Sequence, residues 1–130
     1  MNKIVEYFGR PRVLLPVIHC CSPEQAPVPP HKYGLVAKEA VSFGVDVVTT
    51  SGRATGCAAS IDKVEMMRRA LGKHPLALAS GVTPENVDSY LPYVDAFLVA
   101  SGIEQEFGSF NPRRVAELVR RIREYQPETT

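Results

Sequence analysis

The chain is expected to fold as an α/β domain, a parallel four-stranded sheet built from β/α units. Two observations carry that expectation. Three short apolar runs, VDVVTTSG (45–52), PLALASG (75–81) and AFLVASG (96–102), each end in Ser-Gly, and a continuous aliphatic and β-branched run is the pattern of a buried parallel strand. Each run is also followed by helical punctuation, so helices and not hairpins join the strands, and their carboxyl ends point the same way.

The elements follow in order. RVLLPVIH (12–19) is an expected strand in which Pro16 removes a ladder donor and favours an edge or a bulge. CCSPEQAPVPPHKY (20–33), with Pro23, Pro27, Pro29 and Pro30, is an irregular connection. GLVAKEAVSFG (34–44) is an expected helix with Leu35, Val36, Ala40 and Phe43 turned inward. SIDKVEMMRRALG (60–72) is a second helix, capped at Ser60, burying Ile61, Val64, Met67 and Leu71, and stopped by Gly72. TPENVDSYL (83–91) has Thr83 as cap and Pro84 at the first helical position, and NPRRVAELVRRIREY (111–125) repeats that signal with Asn111 and Pro112. The amino end, 4–8, can make one helical turn.

Composition bounds the partners. The 130 residues are 45% hydrophobic, enough for one modest core, so a single domain is expected over 1–130. A net charge of +1 argues against nucleic acid as a partner. No apolar stretch approaches the ~20 residues needed to span a bilayer, and no secretory signal is visible, so a cytoplasmic location is expected. Of the three cysteines, Cys20 and Cys21 are adjacent and Cys57 stands apart, which fits free thiols. Adjacent cysteines chelate one tetrahedral ion poorly, so a zinc site from His19, Cys20, Cys21 and His31 is rejected, and no metal or cofactor is expected.

The chemistry is expected at the strand carboxyl ends, where α/β sheets bind ligands. Ser followed by Gly leaves bare backbone that an anion can approach. The candidate phosphate-binding residues are Ser51, Gly52 and Arg53 in the loop SGRATGCAAS, Ser80 and Gly81 ahead of the helix capped by Thr83, and Ser101 and Gly102 after the last run. Arg53 can add a bidentate charge, and the helix after Ser80-Gly81 its partial positive end. On this view Gly81→Val removes phosphate binding more than it perturbs the fold. Two proton-transfer candidates lie at the same edge: His19, closing the first strand, and Glu104, if burial raises its pKa. A histidine at a strand end is more often structural, and a loop glutamate such as Glu104 or Glu106 is more often simply solvated. No Ser/His/Asp order, Walker loop or dinucleotide fingerprint occurs.

The segments VDVVTTSGRATG, PLALASGVTPENVDSYL and DAFLVASGIEQEFGSFNPRRVAELV resemble the carboxyl-terminal portion of the BtpA family of TIM-barrel proteins. More distantly they are similar to the phosphoribosylanthranilate isomerase and tryptophan synthase α group. GVTPENV and the following Ser-Gly ending are the specific part, and RVLLPVIH resembles a first barrel strand. The resemblance implies the sixth to eighth barrel strands, with a phosphate held by the last two loops, here Ser80, Gly81, Ser101 and Gly102. The BtpA family implies a role in photosystem I biogenesis without a defined reaction.

A complete barrel needs about 250 residues, so the chain is expected to be half of one, its first strand joined to the final three. Barrel adjacency then gives strand order 2-3-4-1, and a flavodoxin-like rearrangement gives 2-1-3-4. Either sheet leaves edges and an inner face uncovered, which a homo-oligomer repairs, for example as an eight-stranded barrel-like dimer. The leading function is a phosphate- or phosphosugar-binding protein, an isomerase, lyase or transferase by descent. The alternatives are a non-catalytic assembly or scaffold protein and a truncated barrel fragment without activity of its own.

Overall fold

A computed structural model of the chain describes residues 29–54 and 56–128, together with Glu6, Gly9, Val17 and Ile18. His19, Cys20, Cys21, most of RVLLPVIH and most of the amino-terminal segment lie outside the described residues. The centre of the molecule is a parallel sheet in which β2 (Val48–Ser51) pairs with β3 (Leu76–Ala79), and β3 with β4 (Ala96–Leu98). A two-residue strand, β1 (Val17–Ile18), lies parallel on the far side of β2, opposite Thr49 and Thr50. The order is therefore β1-β2-β3-β4, neither 2-3-4-1 nor 2-1-3-4. The physical reason is the simplest one: strands consecutive in sequence and joined by one short crossover lie side by side.

Helix α1 runs over Pro30–Ser42, α2 over Ile61–Leu71 and α3 over Pro112–Glu124. Helix α1 begins four residues before the expected Gly34, because Pro30 at the first helical position lacks an N–H that would go unbonded there anyway. Its inner stripe is Tyr33, Ala37, Ala40 and Val41, while Leu35 and Phe43, expected inside, lie exposed, Leu35 on the far side of the helix from that stripe and Phe43 at the cap beyond Ser42. The stripe of α2 is as expected, Val64, Met67 and Leu71 buried and Ile61 partly so, with Gly72 ending the helix at φ +59°. In α3, Asn111 caps through its side chain, accepting from the N–H groups of Arg113 and Arg114, and Leu118 is buried.

TPENVDSYL departs from expectation. It forms successive turns around a three-residue 3₁₀ segment, Val87–Ser89, and not an α-helix. Thr83 and Asn86 do cap each other, Asn86 Oδ1 accepting from Thr83 N–H and Thr83 Oγ1 from Asn86 N–H. Beyond that cap, Asp88 and Ser89 are poor helix formers that compete for backbone bonds, and Pro92 follows closely. IEQEFGSF also differs: after a 3₁₀ turn at Ser101–Ile103 it forms a hairpin, β5 (Glu104–Glu106) antiparallel to β6 (Ser109–Phe110).

The sheet register sorts the side chains. Val48, Thr50, Leu76, Leu78 and Phe97 share one face, and Val48, Leu76 and Leu78 pack there with Val64, Met67 and Leu71 of α2. The other face carries Thr49, Ser51, Ala77, Ala79, Ala96 and Leu98, and at β4 it opens to solvent, with Leu98 52% exposed.

Tyr90, buried in the turns after Thr83, donates its hydroxyl to Ala59 O at 2.6 Å. Burial raises its pKa above the ordinary value of 10. The unfolded phenol ionises first, so the stability this group contributes is complete below pH 10 and is lost as the pH climbs through the raised value. Tyr90→Phe is expected to cost about 1–2 kcal/mol at neutral pH, because the Ala59 carbonyl loses its donor, and to shallow the loss of stability above pH 10. Urea unfolding of both proteins at the two pH values checks this.

Candidate functional site

The three Ser-Gly pairs meet at one rim of the sheet. Ser51 is the last residue of β2, Ser80 follows β3 and donates its N–H to Leu98 O at the end of β4, and Ser101 opens the turn after β4. The loop after β2 folds back across these tips. A Cβ added to Gly52 would stand 2.0 Å from the carbonyl oxygen of Cys57, and one added to Gly81 would stand 2.2 Å from the same atom. Gly56 approaches Ser101, a Cβ there reaching 3.6 Å from Oγ, and a Cβ on Gly102 would fall 1.9 Å from Val82 O. Gly52, Gly81 and Gly102 are thus the places where rim loops touch backbone to backbone. The expected open space above Gly81 is filled by Cys57, which corrects the expectation for Gly81→Val: the substitution must first disturb loop packing.

Ser80 has a left-handed backbone, φ +65°, the one positive φ outside glycine among the described residues. Gly81 continues in the same region at φ +73° and is buried. Asn86 fastens this turn by donating Nδ2–H to Gly81 O at 2.8 Å. With only a 3₁₀ turn following, the α-helix terminus expected behind Ser80-Gly81 is absent.

Two cations that sequence reasoning missed reach the rim. Lys63, in the first turn of α2, is buried and donates from Nζ to Ser51 O at 2.7 Å, with the Tyr33 ring 5.4 Å away. Arg114, in the first turn of α3, donates Nε–H to Gly102 O at 2.9 Å and grips Glu85 through both Nη atoms at 2.8 and 3.0 Å. That grip holds the Glu85 carboxyl down at about 2 and so charged through the ordinary acidic range. The available signal is weak: each is a basic residue in a first helical turn, against the preference of a helix dipole for acids there, but Arg113 shares the turn with Arg114 and lies exposed.

The remaining candidates are dispersed. Arg53 is exposed in the loop after Ser51. Glu104 lies half-buried in the hairpin opposite Phe110, and Glu106 is exposed nearer its tip. Cys57 is a free, exposed thiol whose backbone rather than sulfur shapes the rim. Among the described residues no helix is long and apolar enough to cross a membrane.

No protein-family model and no curated protein matches the chain. Among solved structures, the chain is similar to a phosphoribosyl anthranilate isomerase from Thermus thermophilus, at 19% sequence identity and a TM-score of 0.62. The match covers 95% of this chain and 56% of the isomerase, so the chain spans little more than half the length of that neighbour. The likeness establishes the fold: parallel strands and β/α units arranged as part of a TIM barrel.

Proposed function

We propose that the chain binds a phosphate group, free or carried by a sugar, at the rim formed by Ser51, Gly52, Arg53, Ser80, Gly81, Ser101 and Gly102. One observation carries this reading. The strained backbone of Ser80, at the tip of β3, costs about 1–2 kcal/mol in a non-glycine residue, and such strain concentrates at ligand-binding sites; the Ser80 N–H is itself spent on Leu98 O, so the side of the turn offered to a ligand would be the hydroxyl and the chain that follows. Arg114 is held by the Glu85 carboxylate and Lys63 by Ser51 O, so the charge that suits an anion would come from Arg53, exposed in the loop after Ser51. The neighbour's name adds a substrate class: it acts on a phosphoribosyl compound, and a sugar phosphate is the corresponding ligand here. Catalysis would fall to Glu104 and His19, in an isomerase, lyase or transferase reaction. The exposed edge of β4 with Leu98 favours a second reading, an assembly protein, and in both readings a half-barrel would be covered by another copy of the chain.

The test is thermal unfolding with ribose 5-phosphate, inorganic phosphate and unphosphorylated ribose. Both phosphate compounds are expected to raise the melting temperature and ribose to leave it unchanged; at a ligand concentration of about 100 Kd the gain is about 2.7 kcal/mol. Arg53→Ala is expected to weaken binding about tenfold, the share of one charge-assisted contact. Equal responses to ribose and to its phosphate would overturn the proposal.

A further inference from the structure

The hairpin β5–β6 is built to present an aromatic side chain. Its two-residue turn is Phe107-Gly108, with Gly108 at φ +77°, where turns ordinarily carry small polar residues. Phe107 is fully exposed and Phe110 57% exposed. Glu104 and Glu106 flank them on the same hairpin. The base is fixed: Ile103 is buried, Asn111 N–H donates to Ile103 O at 2.8 Å, and Gln105 donates to Ser109 Oγ at 3.2 Å. A tip held this way loses little freedom on docking.

A surface of complementary character lies on the same molecule. Helices α1 and α2 touch where Gly34 meets Ala70, a Cβ on Gly34 standing 3.0 Å from that of Ala70. Beside this contact runs a groove of about 350 Å³. It is lined by the apolar Leu35, Met66 and Ala70 and by the basic His31, Lys38 and Arg69. His31, Leu35 and Lys38 recur at helical spacing along one face of α1, and Leu35 is 63% exposed. Arg69 is partly neutralised by Glu65 at 2.5 Å, which leaves Lys38 as the principal charge of the groove.

The geometry points to self-association in which the Phe107 tip of one copy seats in the α1–α2 groove of a second copy, with Glu106 facing Lys38. The occupant is argued from charge complementarity: an exposed aromatic tip beside Glu106 meets an apolar groove beside Lys38, and both surfaces belong to this chain. The contact is independent of anion binding at the rim, so each can fail without the other.

The experiment is sedimentation of the full chain over a concentration series. The wild type is expected to associate, and added salt to weaken that association by screening these charges. Phe107→Ser and Lys38→Glu are each expected to weaken it at least about tenfold, a loss of about 1.4 kcal/mol. Both positions are exposed, and circular dichroism checks that the fold is unchanged. Lys38→Glu combined with Glu106→Lys is expected to restore association. A wild type that remains monomeric to its solubility limit overturns the inference. So does association that neither single variant diminishes, or a double variant that stays as weak as Lys38→Glu alone.

Discussion

Gly81→Val is expected to destabilise the protein by about 3–5 kcal/mol, the sum of an overpacked contact and a side chain forced into left-handed backbone. The contact is unusually close: the new Cβ would stand 2.2 Å from Cys57 O, 2.4 Å from Cys57 C and 2.6 Å from the α-carbon of Ala58. All three are backbone atoms, which cannot swing aside as a flexible side-chain end can. Gly44→Ala is the control. Gly44 has φ +80° with nothing within 4 Å of its added Cβ, so it isolates the conformational cost, about 1 kcal/mol. Urea unfolding of the two variants separates the terms. Equal losses would mean that the Cys57 loop moves away freely and is no fixed part of the rim.

Arg68→Met is expected to cost about 3 kcal/mol. The Arg68 guanidinium donates from Nε to Tyr93 O at 2.7 Å, from Nη1 to Gly72 O at 2.7 Å and His74 O at 3.0 Å, and from Nη2 to Asp95 Oδ2 at 2.5 Å. Asp95 in turn accepts from Leu76 N–H at 2.9 Å and donates its own N–H to Leu76 O at 2.8 Å. One side chain therefore joins the end of α2, the start of β3 and the approach to β4, at the sheet edge opposite the rim. Most of the loss comes from carbonyls deprived of a charged donor; the ion pair contributes less, because the Asp95 side chain is 56% exposed and screened. Arg69→Met, which removes only a surface pair with Glu65 one turn away, is expected to cost no more than about 0.5 kcal/mol. Chemical unfolding of the two neighbours compares them directly, and equal effects would refute the bracing role of Arg68.

What the sequence disclosed was whatever is encoded within a turn or two of chain. The Ser-Gly endings marked the strand tips, Gly72 and Asn111-Pro112 marked helix boundaries, and the stripe Val64, Met67, Leu71 announced which face of α2 is buried. What it hid depends on distant partners. Arg114 meets Glu85 across 29 residues and Tyr90 meets Ala59 across 31, and no local pattern records such a meeting. The same holds for Cys57 over Gly52 and Gly81: the glycines were visible, but not that a carbonyl would fill the space they leave. TPENV carried a genuine cap signal, yet a cap fixes only where a helix can begin. Asp88, Ser89 and Pro92 decided how little of one followed. Leu35 and Phe43 were misplaced because the small residues Ala37 and Ala40 form the packed stripe, which puts Leu35 nearly opposite it at about 100° per residue, and because the helix ends at Ser42, leaving Phe43 as its cap.

The most direct test of the central claim is a phosphate titration followed by amide chemical shifts in the full chain. Saturable shifts gathered on Gly52, Ser80, Gly81, Ser101 and Gly102 are the result this structure predicts. Shifts confined to His31, Lys38 and Arg69 on the outer helices, or no saturable shift at all, would contradict it.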